Sequence, residues 1–160
     1  MVAREREREA GGGGMKTSDG IIILPTRGRT GGKLERCLRA LKDTGTTTPG
    51  MIMVGDDDYA ANHEAYDALE LPDGWLIISG PFENTAAATE AGRSMNPDAA
   101  FYIWFTDDNI AETPLWDQKL AANLNGHNFV STAFGEKSSR LNGAIAFSGD
   151  LIRAVGYIYA

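Results

Sequence analysis

Two clusters of acidic residues in this sequence each follow a short apolar run and could hold a cation. The aromatic-rich run Phe101–Phe105 is followed directly by Thr106-Asp107-Asp108-Asn109. The run Met51–Val54 leads in the same way to Asp56-Asp57-Asp58. Carboxylates are hard oxygen ligands suited to Mg²⁺ or Mn²⁺, and such a cation can in turn hold a diphosphate. The second cluster could also accept hydrogen bonds from a uracil or guanine imide, or from ribose hydroxyls.

Taken alone, each acidic cluster is better explained as a charged surface turn. Taken together, they favour a ligand site, because the carboxyl ends of parallel strands meet at one edge of a sheet. Crowded carboxylates repel each other unless a cation or a hydrogen-bond donor offsets their charge. The pair of clusters therefore predicts a shared binding site at that edge.

A third polar segment, Pro25-Thr26-Arg27-Gly28-Arg29, follows the β-branched run Ile21–Leu24. An arginine at the end of a strand can pair with a phosphate or stack on a base. A surface turn with solvated charges explains the same residues equally well. The glycines that follow do not have the spacing of a dinucleotide fingerprint, and Lys33 is followed by leucine, so a Walker motif is absent.

The elements that must position these residues alternate between strand and helix along the chain. Apolar residues at helical spacing, such as Leu34, Cys37, Leu38 and Leu41, separate the β-rich runs. This alternation predicts an α/β fold with three layers, in which helices cover both faces of a mostly parallel, Rossmann-like sheet. We expect strands at 21–24, 51–54, 75–78, 101–105, 128–134 and 143–147, and helices at 34–45, 60–69, 85–95, 150–155 and from Thr113-Pro114 onward.

Composition limits the classes of function. With 160 residues, 42% apolar and 23% charged, the chain is long enough for one globular domain. A net charge of -7 argues against non-specific nucleic-acid binding, and the sequence has no apolar stretch of the roughly 18 residues that a membrane span needs. The single cysteine, Cys37, excludes an intrachain disulfide and suits a cytoplasmic protein. It lies on an apolar helical stripe, which favours core packing, and neither His63 nor His127 has a partner at metal-ligand spacing.

Residues 1–19 differ from the remainder of the chain. Arginine and glutamate alternate over 4–9 and glycines fill 11–14, so this segment has no apolar face to bury. We therefore expect 1–19 to be a disordered tail and 20–160 to be the folded domain.

The order of these motifs resembles the nucleotide-binding half of a family 2 (GT-A fold) glycosyltransferase, in the nucleotide-diphospho-sugar transferase superfamily. The resemblance extends from Gly20 to Ile158. Its most specific part is Thr106-Asp107-Asp108-Asn109, which is similar to the Asp-x-Asp region of that family. The segment Gly143–Arg153 is similar to the family's acceptor-side strand and the helix after it.

The resemblance implies a nucleotide-diphosphate sugar donor (a UDP- or GDP-sugar), bound through Mn²⁺ or Mg²⁺, whose sugar is transferred with inversion to an unknown hydroxyl acceptor. The implied site residues are Pro25, Thr26 and Arg27 in the nucleotide pocket, Asp56 at the base with Asp57 or Asp58 as alternatives, Asp107 at the ribose or a metal-bound water, Asp108 on the metal, and Arg93 at the diphosphate.

The family's general base normally follows the segment that Gly143–Gly156 resembles, and the sequence ends at Ala160. We therefore expect a C-terminally truncated member, and no catalytic base is assigned. Two other functions stay open. One is a non-catalytic nucleotide-binding or interaction module. The other is a sugar-phosphate nucleotidyltransferase, which Pro25-Thr26-Arg27-Gly28-Arg29 fits poorly.

Overall fold

The computed structural model describes residues 2–3, 20–132 and 143–158. Strands and helices alternate along most of this part of the chain. The strands are β1 (Val2–Ala3), β2 (Ile21–Thr26), β3 (Gly50–Gly55), β4 (Trp75–Gly80), β5 (Phe101–Phe105), β6 (Phe129–Ser131) and β7 (Ala144–Ser148). The helices are α1 (Lys33–Asp43), α2 (Asp56–Asp67), α3 (Thr85–Met95), α4 (Trp116–Ala122) and α5 (Gly149–Val155).

The strands form one mixed sheet in the order β1-β4-β3-β2-β5-β7-β6. Four of them, β4, β3, β2 and β5, run parallel, with pairs such as Ile22↔Gly50 and Ile22↔Ile103. Strand β7 is antiparallel to β5 and to β6, and β1 is antiparallel to β4. The four parallel strands therefore end at one edge of the sheet, which we call the carboxyl edge, and they begin at the amino edge.

Helices cover both faces of the sheet. One buried cluster joins the sheet to α1, α2 and α4 through residues that include Leu38, Tyr66 and Leu120. The cluster on the other face includes Ala88 of α3 and Ile152 of α5. These two clusters confirm the predicted three-layer α/β/α fold with a mostly parallel sheet.

Helix α1 forms as the sequence predicts. Its four stripe residues, Leu34, Cys37, Leu38 and Leu41, are all buried. Removing one leucine side chain from water contributes about 1.5–3 kcal/mol, so this stripe fixes α1 against the sheet. The amino end of α1, beside the predicted site, is thereby held in place.

Two predicted boundaries near the site are wrong. Strand β2 does not end at Leu24 but continues through Pro25 to Thr26. Beyond Ile23, β2 pairs only with β3, and the N–H that proline lacks therefore costs no hydrogen bond to β5. Helix α2 begins at Asp56 and not near Ala60. The three aspartates thus occupy its first turn, where the helix dipole favours acidic side chains.

Helix α4 begins at Trp116, two residues after the predicted start at Pro114. Leu115 takes a left-handed conformation with φ 53°, and its N–H donates to the Thr44 carbonyl at 2.8 Å. The Trp116 indole then donates to the Thr46 hydroxyl at 2.8 Å and packs on Phe105 with 5.0 Å between ring centroids. These tertiary contacts override the local Thr-Pro start signal.

Several predicted segments fall partly outside the described residues. Residues 1 and 4–19 of the predicted tail lie outside them, and 2–3 form β1. The strand predicted over 128–134 is described as Phe129–Ser131, and 133–134 lie outside. Within the described ranges, none of the helices combines the length and apolarity that crossing a membrane requires.

Candidate functional site

The three polar segments picked out in the sequence surround one cleft at the carboxyl edge of the sheet. Its volume is about 340 Å³. The walls come from the ends of β2, β3 and β5 and from the amino end of α3, and the lining residues are Pro25, Thr26, Arg27, Arg29, Met53, Gly55, Phe82, Asn84, Thr85, Ala88, Thr106, Asp107 and Asp108. A crevice in this position is where open α/β sheets bind ligands.

The loop after β2 holds two arginines apart on either side of a glycine. Gly28 adopts φ 62°, a left-handed conformation that glycine takes without strain. Arg27 forms an exposed ion pair with Asp57 in the first turn of α2. On the other side, Arg29 Nε lies 3.9 Å from Asp107 Oδ2. The loop therefore directs Arg27 toward α2 and Arg29 toward the end of β5.

Asp58, in the first turn of α2, holds this loop in place. It is 8% exposed, and its Oδ2 accepts hydrogen bonds from the Gly28 backbone N–H and the Tyr66 hydroxyl, both at 2.7 Å. The amide of Asn62 donates to Oδ1 at 2.8 Å. Burial, the hydrogen bond to Asp58 and the charge of Asp58 raise the pKa of Tyr66. Asp58 is thus engaged inside the protein, and of the three adjacent aspartates it is the one that positions the loop.

Asp107 lies in the floor of the cleft and is 7% exposed. Its Oδ2 accepts a hydrogen bond from the Thr26 hydroxyl at 2.6 Å. Burial raises the pKa of Asp107, and the Thr26 hydrogen bond and the Arg29 charge offset that effect only in part. Asp107 is therefore a buried carboxylate with fewer donors than its charge requires, and it faces a cleft that a ligand could enter.

Asp108 is exposed at the same turn, and its Oδ1 accepts a hydrogen bond from the Thr106 hydroxyl at 2.9 Å. The buried amide of Asn109 donates to that hydroxyl and to the Gly143 carbonyl. Asn109 thereby ties the acidic turn to the start of β7. An exposed carboxylate on a turn fixed in this way suits a cation that approaches from the cleft.

No group of three or more His, Cys, Asp or Glu side chains that could hold a metal is present among the residues that the structure describes. The protein by itself therefore offers Asp108, with Asp107 beside it, and no closed cage. Mg²⁺ in particular is usually bound by one or two carboxylates together with substrate phosphates. The donor set thus fits a cation that is shared with a bound diphosphate.

Cys37 lies directly under this turn. Burial raises the pKa of its thiol to about 12, and the charges of Asp107 and Asp108 act in the same direction. The thiol stays protonated at neutral pH and is fully buried in the apolar core, so it is a poor nucleophile there. This agrees with its predicted role in core packing.

The structure brings most of the sequence-predicted site residues to this cleft. Five of them line it, namely Pro25, Thr26, Arg27, Asp107 and Asp108. Asp57 borders it through its ion pair with Arg27. Desolvation acts to raise the pKa of Asp57, but the hydrogen bond and charge of Arg27, together with backbone hydrogen bonds, lower it overall. Asp56 is exposed at the start of α2 and is not among the lining residues.

Arg93 does not reach the cleft. It lies near the carboxyl end of α3, where its Nε pairs with Glu90 at 2.7 Å and its Nη2 donates to Ser94 at 3.1 Å. Helix α3 runs antiparallel to the strands, so its first turn lies at the cleft and Arg93 lies about 12 Å farther along the helix axis, toward the amino edge. The sequence correctly predicts the helix, but it does not indicate how far the arginine stands from the site.

The cleft also contains residues that the sequence does not predict as site residues, namely Arg29, Met53, Gly55, Phe82, Thr106 and residues of α3. Arg29 belongs to the loop motif, and the signal that could have found it is its place two residues beyond Arg27. The residues of α3 come from its amino end. Asn84 caps this helix by accepting from the Ala87 N–H at 2.9 Å, and Thr85 and Ala88 line the cleft.

Comparison with known proteins identifies the fold. No protein-family model and no curated protein matches the sequence. Among solved structures, the chain is similar to a mannosyltransferase, PcManGT from Pyrobaculum calidifontis, in complex with GDP-Man and Mn²⁺. The identity is 10% and the TM-score 0.67, and the match covers 93% of this chain and 50% of that one.

Two further solved structures have the same architecture. One is a 4-diphosphocytidyl-2C-methyl-D-erythritol synthase from Anaerococcus prevotii, at 13% identity and TM-score 0.57, which covers 86% of this chain and 73% of that one. The other is a proposed nucleotide-diphospho-sugar transferase from Desulfovibrio desulfuricans, at 12% identity and TM-score 0.59, with 84% and 65% covered. The resemblance to the GT-A fold of nucleotide-diphospho-sugar transferases is thus confirmed as a likeness of fold. The chain spans half of the mannosyltransferase and about two thirds of the proposed nucleotide-diphospho-sugar transferase.

Proposed function

We propose that this chain is a GT-A-type domain that binds a nucleotide-diphosphate sugar, a UDP- or GDP-sugar, in the carboxyl-edge cleft. The enzyme to which it belongs would transfer the sugar with inversion to a hydroxyl acceptor. The observation that carries this proposal is the convergence of two arginines, Arg27 and Arg29, with two carboxylates, Asp107 and Asp108, on a single cleft. That combination suits a ligand that has both an anionic part and hydroxyl or imide donors.

Each part of the cleft suits one part of such a donor. Pro25, Met53 and Phe82 provide apolar surface for the nucleoside. Asp57 borders the pocket where a base would enter, and its carboxylate could accept the imide N–H once Arg27 releases it. Asp107 would accept hydrogen bonds from the ribose hydroxyls or from a metal-bound water, because among the described residues its carboxylate accepts a side-chain hydrogen bond only from Thr26.

A divalent cation, Mn²⁺ or Mg²⁺, would be held by Asp108 together with the diphosphate of the donor. Its chemistry there would be to neutralise the charge that develops on the leaving diphosphate. The fixed turn at Thr106 and Asn109 holds the Asp108 carboxylate in place before the donor arrives. The mannosyltransferase with the same fold contains GDP-Man and Mn²⁺, which supports this choice of ligands.

Calorimetric titration of UDP and GDP, each with and without Mn²⁺, tests the proposal. We expect binding that Mn²⁺ strengthens, and we expect Asp108→Ala to abolish the effect of the metal. The control is Asp98→Ala, which removes an exposed aspartate that precedes β5 at the amino edge. If neither nucleotide binds the wild-type protein in the presence of Mn²⁺, the proposal is wrong.

A nucleotidyltransferase is the competing proposal, because the erythritol synthase shares the fold over 73% of its own length. Such an enzyme would bind a nucleoside triphosphate and a sugar phosphate, and it would release pyrophosphate. A pyrophosphate-release assay with UTP, GTP or CTP and a panel of sugar phosphates separates the two functions. Turnover in that assay would replace the transferase proposal, whereas diphosphate binding without turnover would favour it.

A further inference from the structure

Arg29 is a cation in the cleft whose guanidinium makes no side-chain hydrogen bond with the residues that the structure describes. Its side chain is 41% exposed and lines the cleft wall. Within the described chain, its guanidinium approaches Asp107 at 3.9 Å and makes no side-chain hydrogen bond. A guanidinium carries five N–H donors in a planar arrangement that matches two phosphate oxygens at once.

The two arginines of the loop differ in what holds them. Arg27 pairs directly with Asp57, and both side chains are largely exposed, at 58% and 65%. The partner of Arg29 is Asp107, whose side chain is only 10% exposed in the cleft floor. An ion pair between exposed side chains is weak, because water solvates both charges. A buried carboxylate is poorly solvated, so it attracts a neighbouring cation more strongly. Arg29 is therefore the arginine that stays in the cleft.

The opposite wall of the cleft adds a second source of positive potential. The amino end of α3 borders the cleft, where Asn84, Thr85 and Ala88 form part of the lining. A helix amino end favours negative charge nearby. An anion between Arg29 and α3 would thus be attracted from both sides.

We infer that Arg29 binds the diphosphate of the donor, and that Asp107 acts as the positioning residue that keeps the guanidinium in the cleft. This inference rests on the proposed function. It adds that part of the affinity for a diphosphate does not depend on a metal. It also divides the loop, with Arg27 on the base side and Arg29 on the phosphate side.

The test is calorimetry in the presence of EDTA, in which uridine, UDP, guanosine and GDP are each titrated into the wild-type protein and into Arg29→Met. We expect the wild-type protein to prefer each diphosphate over its nucleoside. In Arg29→Met, we expect diphosphate affinity to fall about tenfold or more, as for a lost charge-assisted contact, with nucleoside affinity within about twofold. The matched control is Arg39→Met, which removes an exposed arginine of α1 outside the cleft.

Two results would overturn the inference and leave the proposed function standing. One is a wild-type protein that binds diphosphates in Mn²⁺ but shows no preference for them in EDTA. The other is Arg29→Met with wild-type affinity for UDP and GDP. If the wild-type protein binds neither diphosphate even with Mn²⁺, the proposed function itself fails. Arg29→Lys adds a further readout, because a point charge without the planar donors should recover only part of the diphosphate affinity.

Discussion

Two buried aspartates at opposite edges of the sheet have opposite electrostatic environments. Asp117, in the first turn of α4, is fully buried, and its Oδ2 accepts hydrogen bonds from the backbone and hydroxyl groups of Thr47 and Thr48 at 2.7–3.3 Å. Burial acts to raise the pKa of Asp117, but these hydrogen bonds outweigh burial and lower it. Asp107, at the carboxyl edge, has a raised pKa and one hydroxyl donor, Thr26.

The difference distinguishes a structural carboxylate, Asp117, from a candidate binding carboxylate, Asp107. Asp117 ties the loop before β3 to α4 through the hydrogen bonds that its Oδ2 accepts from Thr47 and Thr48, while its buried Oδ1 has no hydrogen-bond partner among the described residues. These contacts between two elements make it a structural residue. Asp107 is nearly as buried, yet it faces a cleft and accepts a side-chain hydrogen bond only from Thr26 among the described residues, so a ligand could supply further donors. The number of donors distinguishes the two roles better than burial does.

The largest effect should follow from removing Asp117. We expect Asp117→Ala to lower the free energy of unfolding by about 3 kcal/mol or more, because the buried N–H and hydroxyl of Thr48 lose their acceptor. Urea denaturation measures this loss. Nucleotide affinity of the folded variant should stay at the wild-type value, and a variant that folds normally but binds poorly would contradict the purely structural role of Asp117.

The lowered pKa of Asp117 also gives an acid-dependent effect. Its folded-state pKa lies below the ordinary value of 3.8, so its contribution to stability is complete above that value and is lost as the pH falls below it. Urea midpoints measured from pH 6 down to pH 2 should therefore drop more steeply for the wild-type protein than for Asp117→Ala. Equal slopes would contradict the assigned hydrogen bonds.

Asp58 lies at the carboxyl edge like Asp107, but it accepts several hydrogen bonds within the protein, as Asp117 does. We expect Asp58→Asn to lower the free energy of unfolding by about 1–3 kcal/mol, because the amide cannot accept at both oxygens. Since the Gly28 anchor is weakened, diphosphate affinity should fall as well. Urea denaturation and calorimetry on the same variant measure both losses, and a stability loss without any change in affinity would show that the loop does not need this anchor.

The smallest effect on stability, with the opposite sign, is expected at Asp107. A carboxyl group with a raised folded-state pKa stabilises the protein only while it is protonated, and this contribution is lost as the pH rises through that pKa. Asp107→Asn should therefore be as stable as the wild-type protein, or more stable by about 1 kcal/mol, at pH 7. The difference should vanish below the ordinary value of 3.8, and thermal unfolding at pH 3 and pH 7 measures it.

The sequence predicts the frame of the site well. Strand β5 has the predicted bounds Phe101–Phe105, because an apolar run between polar residues is a strong local signal. The strand and helix order also fixes which ends share an edge, so Thr26, Asp107 and Asp108 meet as expected. Local patterns predict these strand ends because each one is marked by an abrupt change from apolar to polar residues.

The sequence could not show which of three adjacent aspartates is buried, because the partners of Asp58 are a backbone N–H 30 residues away and the hydroxyl of Tyr66. It also gave no sign of Asp117, whose acceptor role depends on the loop at Thr47 and Thr48. The position of Arg93 outside the cleft could not be predicted either, because the motif does not indicate how far along α3 the arginine lies. Each of these cases depends on tertiary contacts.

The most direct test of the central claim uses Mn²⁺ as a paramagnetic probe in amide-resolved NMR of the wild-type protein with UDP or GDP. If the cleft at the carboxyl edge binds the diphosphate and its metal, the amide signals of Gly28, Asp107 and Asp108 broaden. Those of Thr48 and Asp117, at the amino edge, keep their intensity. Broadening centred on the amino edge, or the same weak broadening at both edges with and without the nucleotide, would contradict binding of the diphosphate and its metal at the carboxyl edge.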